Sequence, residues 1–486
     1  MTFSTLIDHR ASDNPTGPAI ADSSTSLTNA DLLARVRAVA AQLADLGIAP
    51  GDVVALRLTN RVEFVILLFA AWRLGATITP VNPALTDAEV ARQLDDSSAK
   101  ILVIEEETVG VGDVPTLYVD ELARETRTEI APIEDASALA LLIYTSGTTG
   151  VPKGVMLDHA NLDAMTAMGR EALKVGPEDR CLLILPLFHV NGIVVSVLTP
   201  LLVGASVVVA ERFNPNTFFD VVEANRPTFF SAVPTIFSML STIPEDVRPD
   251  ASSIRFAVCG AAPASADLLT RFENRFGFPL IEGYGLSEAT CGSTINPVDG
   301  LRKPGTVGLP FPGQEVRIVR SQGIAVALGE DGEVEVRGPN VMRGYLGRPD
   351  DTAAVMNNGW LSTGDLGHVD EDGYLTIVGR SKEMIIRGGE NIYPKEIEDV
   401  LTGDPAVLEA AVVGVPDEKW GEVVVAFVQA RPGTTVNLKG LKARCREQLS
   451  SYKRPTAIHL LEVLPKSAVG KLDKRSLRDR LATAPR

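Results

Sequence analysis

Apolar positions in the first half of the chain follow helical and strand spacing in turn. Residues 29–46 carry apolar side chains at helical spacing and end at Gly47, and residues 63–74 repeat this pattern and end at Gly75. Short apolar runs predict strands at residues 53–58, 101–104, 139–144, 182–185, 206–209 and 255–258. Strands that alternate with helices predict an α/β fold in which helices cover the sheets.

The pattern changes at Gly305 and again near residue 380. From Gly305 onward, short strands such as 316–319 and 333–336 are separated by Gly and Pro turns, which predicts an antiparallel sheet or a small, barrel-like β subdomain. The elements predicted after residue 382 are helices at 394–401 and 438–449 and strands at 409–415 and 423–430. We therefore predict a large N-terminal domain, residues 1–380, and a small, mobile α+β C-terminal domain, residues 381–486.

One stretch, residues 181–210, contains no Asp, Glu, Lys or Arg and is long enough to suggest a membrane span. Pro186, Gly192 and Pro200 interrupt it, and residues 207–209 predict a buried strand. We therefore interpret the stretch as protein core and expect no integral membrane segment.

The charge of the chain limits its partners. Asp and Glu number 62 and Lys and Arg 46, which gives a formal net charge of -16. Nucleic acids and anionic membranes attract proteins that supply a positive field, so neither is an expected partner. The acidity is uneven, because residues 439–486 carry 13 Lys and Arg against 4 Asp and Glu. That basic segment is either a solvated face or a face turned toward phosphates.

The four cysteines, Cys181, Cys259, Cys291 and Cys445, are far apart and have no metal-ligand spacing. They fit a reducing compartment. Charged residues at positions 8–10 interrupt the start of the chain before an apolar signal sequence could form. We expect a cytoplasmic protein.

The strongest chemical signal follows the predicted strand at residues 139–144. The sequence Thr-Ser-Gly-Thr-Thr-Gly-Val-Pro-Lys runs from residue 145 to residue 153. Its glycines let the backbone approach a ligand closely, its hydroxyl groups are donors, and Lys153 is cationic, so the segment suits a polyphosphate. It is not a P-loop, because no Gly-Lys-Ser/Thr opens a helix. Without the lysine and the strand it would be a flexible loop.

Three further segments make sense beside a nucleotide. Residues 283–288, Gly-Tyr-Gly-Leu-Ser-Glu, offer an aromatic face, a hydroxyl and a carboxylate that suits Mg²⁺. Asp365 ends a Ser-Thr-Gly-Asp turn, where it could accept hydrogen bonds from ribose hydroxyls or cap the turn. Lys471 follows a glycine near the chain end, where a lysine on its own would be solvated surface.

In combination and in this order, the segments resemble the adenylate-forming superfamily of acyl-CoA synthetases, adenylation domains and luciferases. The resemblance covers nearly the whole chain and includes N-terminal segments at residues 47–58 and 75–83. It implies an AMP-forming acid–CoA ligase, which joins ATP and a carboxylic acid to give an acyl-adenylate and pyrophosphate. Coenzyme A then takes the acyl group and AMP leaves. The implied cofactors are ATP, Mg²⁺ and coenzyme A.

The resemblance also implies roles for the matching residues. The phosphate loop would consist of Thr145, Ser146, Gly147, Thr148, Thr149 and Lys153, and the adenine site of Gly260, Ala261, Ala262, Glu282, Gly283 and Tyr284. Ser287 would reach the α-phosphate, Asp365 and Arg380 would bind the ribose, and Thr145 and Glu288 would hold Mg²⁺. The catalytic residues would be Lys471, His189 and Glu288.

The two half-reactions would use different arrangements of the small domain. The resemblance implies a hinge at Lys382, and after rotation Gly388 and Gly389 would border the tunnel for the pantetheine arm. Arg387 would contact coenzyme A. Carboxylate attack on the α-phosphorus brings anions together, so Lys471, Mg²⁺ and the loop donors would offset that charge.

The acyl substrate is predicted from the segment around His189, which by resemblance closes the acyl site. Ile193, Val194 and Val195, which follow it, are apolar, as are Ala261, Ala262 and Ala289. Malonate-activating relatives carry an arginine where this chain has Gly283, so a second carboxylate would be buried unpaired, which is costly. We predict a short- or medium-chain or aromatic monocarboxylate.

Alternatives remain open. Short segments at residues 188–192, 231–236, 296–297, 303–305 and 387–390 resemble those of oxalate–CoA ligases. His189 and Asn191 could hold so small a diacid. The Cys-Gly-Ala-Ala segment that begins at Cys259 departs from the serine-containing version of those enzymes. An acyl-AMP ligase that loads a carrier protein would use the same ATP site but carries an insertion before the hinge. A non-catalytic nucleotide-binding protein should lack Lys471 or Glu288, and both are present.

Overall fold

The structure, a computed structural model, describes residues 2–105, 108–145, 152–244, 246–262, 264–320, 323–388, 390–417, 419–466 and 472–483. Its α-helices are α1 (Phe3–Asp13), α2 (Asn29–Asp45), α3 (Val62–Arg73), α4 (Asp87–Ser97), α5 (His159–Leu173), α6 (Val190–Ile193), α7 (Thr199–Leu202), α8 (Phe218–Asn225), α9 (Pro234–Leu240), α10 (Ala266–Phe276), α11 (Pro349–Val355), α12 (Pro394–Thr402), α13 (Leu438–Gln448) and α14 (Lys474–Thr483).

The strands of the first half are β1 (Pro18–Ala21), β2 (Ser26–Thr28), β3 (Val53–Arg57), β4 (Thr77–Pro80), β5 (Ala99–Ile104), β6 (Thr116–Tyr118), β7 (Leu139–Thr145), β8 (Lys153–Asp158), β9 (Arg180–Leu183), β10 (Ser206–Val209), β11 (Phe229–Ala232) and β12 (Phe256–Cys259). Those of the second half are β13 (Leu280–Tyr284), β14 (Thr294–Ile295), β15 (Leu309–Pro310), β16 (Glu315–Val319), β17 (Gly332–Arg337), β18 (Gly344–Tyr345), β19 (Met356–Asn357), β20 (Trp360–Val369), β21 (Leu375–Arg380), β22 (Ile385–Arg387), β23 (Glu390–Ile392), β24 (Val407–Asp417), β25 (Gly421–Ala430) and β26 (Ala457–Leu461).

Two large sheets with parallel central strands make up most of the N-terminal part. One has the order β15-β14-β13-β12-β11-β9-β10-β1-β2, and the other β18-β8-β7-β4-β3-β5-β6. Helix α3 is buried on nearly every side and belongs to the hydrophobic core that the two sheets share, as expected for a helix that is apolar all round. The α/β fold predicted from the alternation of elements is confirmed.

The carboxyl ends of β9, β11, β12 and β13 lie at one edge of the larger sheet, because these neighbouring strands are all parallel. Ligands of open α/β sheets bind at such an edge, where loops leave the strands. The fold therefore places the segments after β12 and β13 side by side.

The third sheet is antiparallel, as predicted for the chain beyond residue 305. Its order is β16-β17-β20-β19, and β21 also pairs with β20. A 3-10 turn at Ser381–Glu383 follows β21, and the fourth sheet begins with β22. This last sheet has the order β23-β22-β25-β24, with β26 parallel to β25. The predicted division between residues 380 and 381 falls in the connection and stays a prediction.

The uncharged stretch at residues 181–210 forms β9, α6, α7 and β10, and most of its side chains are buried in the core. Between α6 and α7 lies a π-helical turn, Val194–Leu198. Pro200 has no N–H for a regular helical bond, and both the backbone N–H and the hydroxyl of Thr199 donate to the Val194 carbonyl. Across the described ranges, no helix combines the length and apolarity needed to cross a membrane.

Candidate active site

A cavity of about 720 Å³ opens at the carboxyl ends of β9, β12 and β13. The predicted site residues that line it are His189, Gly260, Ala261, Gly283, Tyr284 and Ser287. The sequence separates these residues by up to about a hundred positions, and the parallel strands bring them together. Ala262 and Glu288 lie next to lining residues but do not line the cavity themselves.

The backbone around the cavity is tightly constrained. Ala261 has a φ of 65°, a left-handed conformation that is uncommon for a residue with a side chain and that marks many ligand sites. A Cβ atom at Gly285 would lie 1.7 Å from the carbonyl oxygen of Cys291, so only glycine fits there. At Gly283 a Cβ would lie 3.3 Å from the carbonyl oxygen of Thr294. The backbone around Gly283 and Gly285 therefore leaves little or no space for a side chain at these positions.

Glu282 differs from its neighbours on β13. Its side chain is buried, accepts a hydrogen bond from the Gly305 N–H at 3.2 Å, and lines a second cavity of about 250 Å³ together with Glu273 and Lys303. Burial, which disfavours the charged carboxylate, raises the pKa of Glu282 to about 7. The side chain of Glu282 lines this second cavity and does not line the main cavity.

Three of the predicted nucleotide-binding side chains form one cluster. The Tyr284 hydroxyl donates to Asp365 Oδ2 at 2.6 Å, and Arg380 Nε lies 2.8 Å from Asp365 Oδ1. Asp365 and Arg380 are register partners on β20 and β21, and Asp365 is 3% exposed. The carboxylate raises the pKa of Arg380 by direct charge attraction. Each carboxylate oxygen has a second lone pair, so the cluster can still accept hydrogen bonds from a ribose.

The predicted phosphate segment is a β-hairpin in which Thr145 on β7 pairs with Lys153 on β8. Ser146, Gly147, Thr148 and Thr149, which lie between them, are outside the described residues. Lys153 Nζ forms an ion pair with Asp351 Oδ1 at 2.8 Å and lies 5.1 Å from the centre of the Tyr345 ring. The hydroxyl of Tyr345 donates to Glu288 Oε1 at 2.9 Å.

Tyr345 and Asp351 are site residues that the sequence motifs did not predict. Tyr345 is 57 positions from Glu288, and no motif spacing connects the two. Only the pairing of β18 with β8 places the tyrosine beside the phosphate hairpin.

Thr145 and Glu288 are the predicted Mg²⁺ ligands. The described part of the chain contains no group of three or more His, Cys, Asp and Glu that could hold a metal ion. Glu288 is half-buried, and its Oε2 accepts no hydrogen bond within that part. A single hydroxyl and a single carboxylate fit a Mg²⁺ ion that takes its other oxygen ligands from a nucleotide and water.

Lys382 lies on the 3-10 turn between the third and fourth sheets. Burial lowers its pKa, and the nearby positive charges of Arg380 and Lys153 lower it further. The adjacent Glu383 pairs with Lys474 at 2.7 Å, which links the turn to α14. The structure thus brings the predicted hinge close to the phosphate hairpin.

Gly388 directly follows β22 and has a φ of 61°, and its N–H donates to the Trp420 carbonyl at 2.7 Å. A Cβ there would lie 3.0 Å from the Trp420 ring. Gly389 and Lys471 are outside the described residues, so their predicted roles are not placed.

Apolar side chains make up most of the wall of the cavity that contains His189. Val194, Val195, Met165 and Phe311 line it, and the ring of His189 lies 4.5 Å from that of Phe188. Of the apolar residues named from the sequence, Ile193 and Ala289 do not line the cavity, because both are 0% exposed and pack in the core. The residues of this stretch that line the cavity, at positions 190, 191, 194, 195 and 199, follow a helical period that leaves Ile193 on the core side.

Two family models match separate parts of the chain. The family model described as AMP-binding enzyme matches residues 7–346, and the model described as AMP-binding enzyme C-terminal domain matches residues 396–471.

Individual relatives share about a third of their residues with the chain. A feruloyl-CoA synthase of Amycolatopsis sp is 37% identical over 480 residues, which cover 97% of each protein. An oxalate–CoA ligase of Arabidopsis thaliana is 37% identical over an alignment of 504 positions, which covers 98% of this chain and 97% of the relative. The crystal structure of ATP-bound MatB from Rhodopseudomonas palustris matches with a TM-score of 0.92 at 31% identity, over 99% of both chains.

Proposed function

The chain belongs to the AMP-binding enzyme family and is an AMP-forming acid–thiol ligase, and we propose that its acid is a monocarboxylate with an uncharged tail. Its substrates are ATP, coenzyme A and a carboxylic acid. The tail would be a short or medium alkyl chain or an aromatic ring. The relatives at equal identity are named for ferulate and for oxalate, so the acid has to be inferred from the cavity.

The charge of the cavity wall carries the proposal. Apart from His189, the charged side chains among the described lining residues are Glu211 and Arg212, and both are exposed. Unless it reached the exposed Arg212, a second carboxylate bound beside Val194 or Val195 would be buried without a cationic partner, which costs several kcal/mol. Apolar groups buried at the same place would instead gain roughly 0.8 kcal/mol per methylene.

Oxalate is the remaining candidate, because it is small enough to stay near His189 and Asn191. The Oδ1 atom of Asn191 is buried and accepts no hydrogen bond from the described residues. Neither an ionised second carboxylate nor an alkyl tail can donate to that oxygen, so the choice between the two acids rests on the apolar wall. We do not propose the carrier-protein alternative, because the relatives are named for coenzyme A.

The first half-reaction would proceed at the nucleotide end of the cavity. We expect the cluster of Tyr284, Asp365 and Arg380 to bind the ribose, and Ser287 and Lys153 to contact phosphates. An oxygen of the substrate carboxylate attacks the α-phosphorus, the bond to the β-phosphate oxygen breaks, and pyrophosphate leaves. Mg²⁺ held by Thr145 and Glu288 would supply positive charge to the phosphates.

Lys471 is expected to support the same step, because its cation would bridge the acyl carboxylate and the nucleotide. The second half-reaction would follow a change in backbone angles at Lys382. Gly388, which has no side chain to obstruct a narrow thiol arm, would then border the path of coenzyme A. The thiolate attacks the acyl carbon, the carbon–oxygen bond to AMP breaks, and His189 remains at the acyl end of the site. A cytoplasmic location stays a prediction.

The test is a comparison of kcat/KM for oxalate, malonate, butyrate, octanoate and benzoate, with thioester formation as the readout and reactions without acid as the control. Butyrate, octanoate or benzoate should exceed both diacids. If oxalate gave the highest kcat/KM, the uncharged-tail proposal would be rejected in favour of the oxalate candidate.

A further inference from the structure

The segment from Met342 to Leu346 joins the phosphate hairpin to the turn that carries Glu288. The Leu346 N–H donates to the Gly154 carbonyl at 2.8 Å, and the Met342 N–H donates to the Glu288 carbonyl at 2.8 Å. Tyr345 lies between these two bonds, on the strand that pairs with β8. The backbone of this segment therefore fixes the distance between two parts of the candidate ATP site.

The side chain of Tyr345 contacts a functional group on each part. Its hydroxyl donates to Glu288 Oε1 at 2.9 Å, and Lys153 Nζ lies 5.1 Å from the centre of its ring, within the range of a cation–π interaction. The residue is 9% exposed.

The position of Tyr345 is itself determined by local contacts. Its N–H donates to Thr352 Oγ1 at 2.9 Å, and that hydroxyl donates to the Arg348 carbonyl at 2.9 Å. Gly344 has a φ of 141°, and a Cβ there would lie 2.8 Å from Thr352 Cγ2. A side chain held in this way can orient its partner, which is what an outer partner of a metal ligand does.

We propose that Tyr345 is a positioning residue for adenylate formation: it orients the Glu288 carboxylate for Mg²⁺ and supports Lys153 beside it. The inference rests on the proposed function, in which Glu288 holds Mg²⁺ and Lys153 binds phosphate. The phenol engages one carboxylate oxygen and leaves Oε2 for the cation. Lys153 is paired with Asp351 in this structure, and nucleotide phosphates would replace that partner while the ring beneath the ammonium stays in place.

The test separates the hydroxyl of Tyr345 from its ring. Tyr345→Phe removes the donor and keeps the ring, whereas Tyr345→Leu removes both. Isothermal titration calorimetry measures the Kd for ATP in the absence of the carboxylic acid, once in excess Mg²⁺ and once in EDTA. The ratio of the Kd in EDTA to the Kd in Mg²⁺ reports the contribution of the metal without turnover. Loss of an outer partner typically weakens metal binding by about 10- to 100-fold. Tyr345→Phe should lower the ratio at least about tenfold and leave the Kd in EDTA unchanged, and Tyr345→Leu should also raise the Kd in EDTA.

Tyr374→Phe is the matched control. Tyr374 is also buried, its hydroxyl donates to the Leu301 carbonyl at 2.6 Å, and Lys303 Nζ lies 4.6 Å from its ring. Its loss should leave both Kd values unchanged. Binding in EDTA also shows that each variant is folded.

Glu288→Gln distinguishes the two levels of the inference. If Glu288→Gln lowers the ratio and Tyr345→Phe does not, the role of Tyr345 is refuted while the role of Glu288 stands. If neither lowers it, the proposed metal role of Glu288 fails, and the inference about Tyr345 fails with it.

Discussion

Met165 sets the depth of the acyl cavity in our interpretation, and shortening it should lengthen the preferred acid. Met165 lies on α5, is 3% exposed and lines the cavity. A Cβ at Gly292, another lining residue, would lie 3.2 Å from Met165 Cε and 2.7 Å from the Phe311 ring. The three residues therefore pack together in the cavity wall, and Met165→Ala should enlarge the cavity there.

The size of the effect follows from the atoms removed. Met165→Ala deletes the γ, δ and ε atoms, which is room for about three methylene groups of substrate. At roughly 0.8 kcal/mol for each buried methylene, an acid about three carbons longer than the present optimum should gain about 2.4 kcal/mol, or roughly 50-fold in kcat/KM. The same truncation should destabilise the fold by about 2–5 kcal/mol.

The assay is kcat/KM across straight-chain acids from acetate to decanoate. Met168→Ala is the matched control, because Met168 lies on the same helix and is 6% exposed but does not line the cavity. It should destabilise the fold to a similar extent without moving the optimum. An optimum that stays in place in folded Met165→Ala, or that moves equally in Met168→Ala, would refute the placement of the acyl site.

Three further variants test other parts of the site. Lys471→Ala should abolish adenylate formation at a cost of about 3–4 kcal/mol, the scale of losing one transition-state donor, but spare thioester formation from supplied acyl-AMP; equal damage to both steps would contradict the assignment. Lys382→Pro should block thioester formation and spare pyrophosphate release, because proline fixes φ near about -65°; sustained turnover with coenzyme A would place the hinge elsewhere. The pKa of Glu282, about 7 in the fold against an ordinary 4.5, means that its contribution to stability is complete below about pH 4.5 and is lost as the pH rises through 7. Relative to the unsubstituted protein, Glu282→Gln should therefore be more stable at pH 8 than at pH 5, by a difference on the order of 3 kcal/mol in the free energy of unfolding. Equal changes in Tm at both pH values would contradict the buried carboxyl.

The sequence predicted the elements well where local chemistry ends them. Helices α2 and α3 end at Asp45 and Arg73, two residues before Gly47 and Gly75, which were predicted to end them. Glycine readily adopts the left-handed backbone at a helix end. The predicted α/β order also brought the motifs after β12 and β13 to one edge, since parallel strands share the direction of their ends.

The prediction failed where the outcome depends on distant pairing or on burial in the fold. The bond from Tyr345 to Glu288 and the ion pair of Lys153 with Asp351 arise from the pairing of β18 with β8, and no local pattern encodes that pairing. Ile193 and Ala289 are apolar in the sequence whether they line a cavity or pack in the core, and only their burial in the fold distinguishes the two. The loop at residues 146–149 and Lys471 stay predictions.

The central claim is that the cavity selects a monocarboxylate with an uncharged tail, and a competition experiment tests it most directly. The protein would be incubated with ATP, Mg²⁺, coenzyme A and an equimolar mixture of oxalate, malonate, butyrate, octanoate and benzoate, and the thioesters would be identified by mass. We predict butyryl-, octanoyl- or benzoyl-CoA as the main product, with one AMP formed per thioester. Oxalyl-CoA or malonyl-CoA as the main product would contradict the claim.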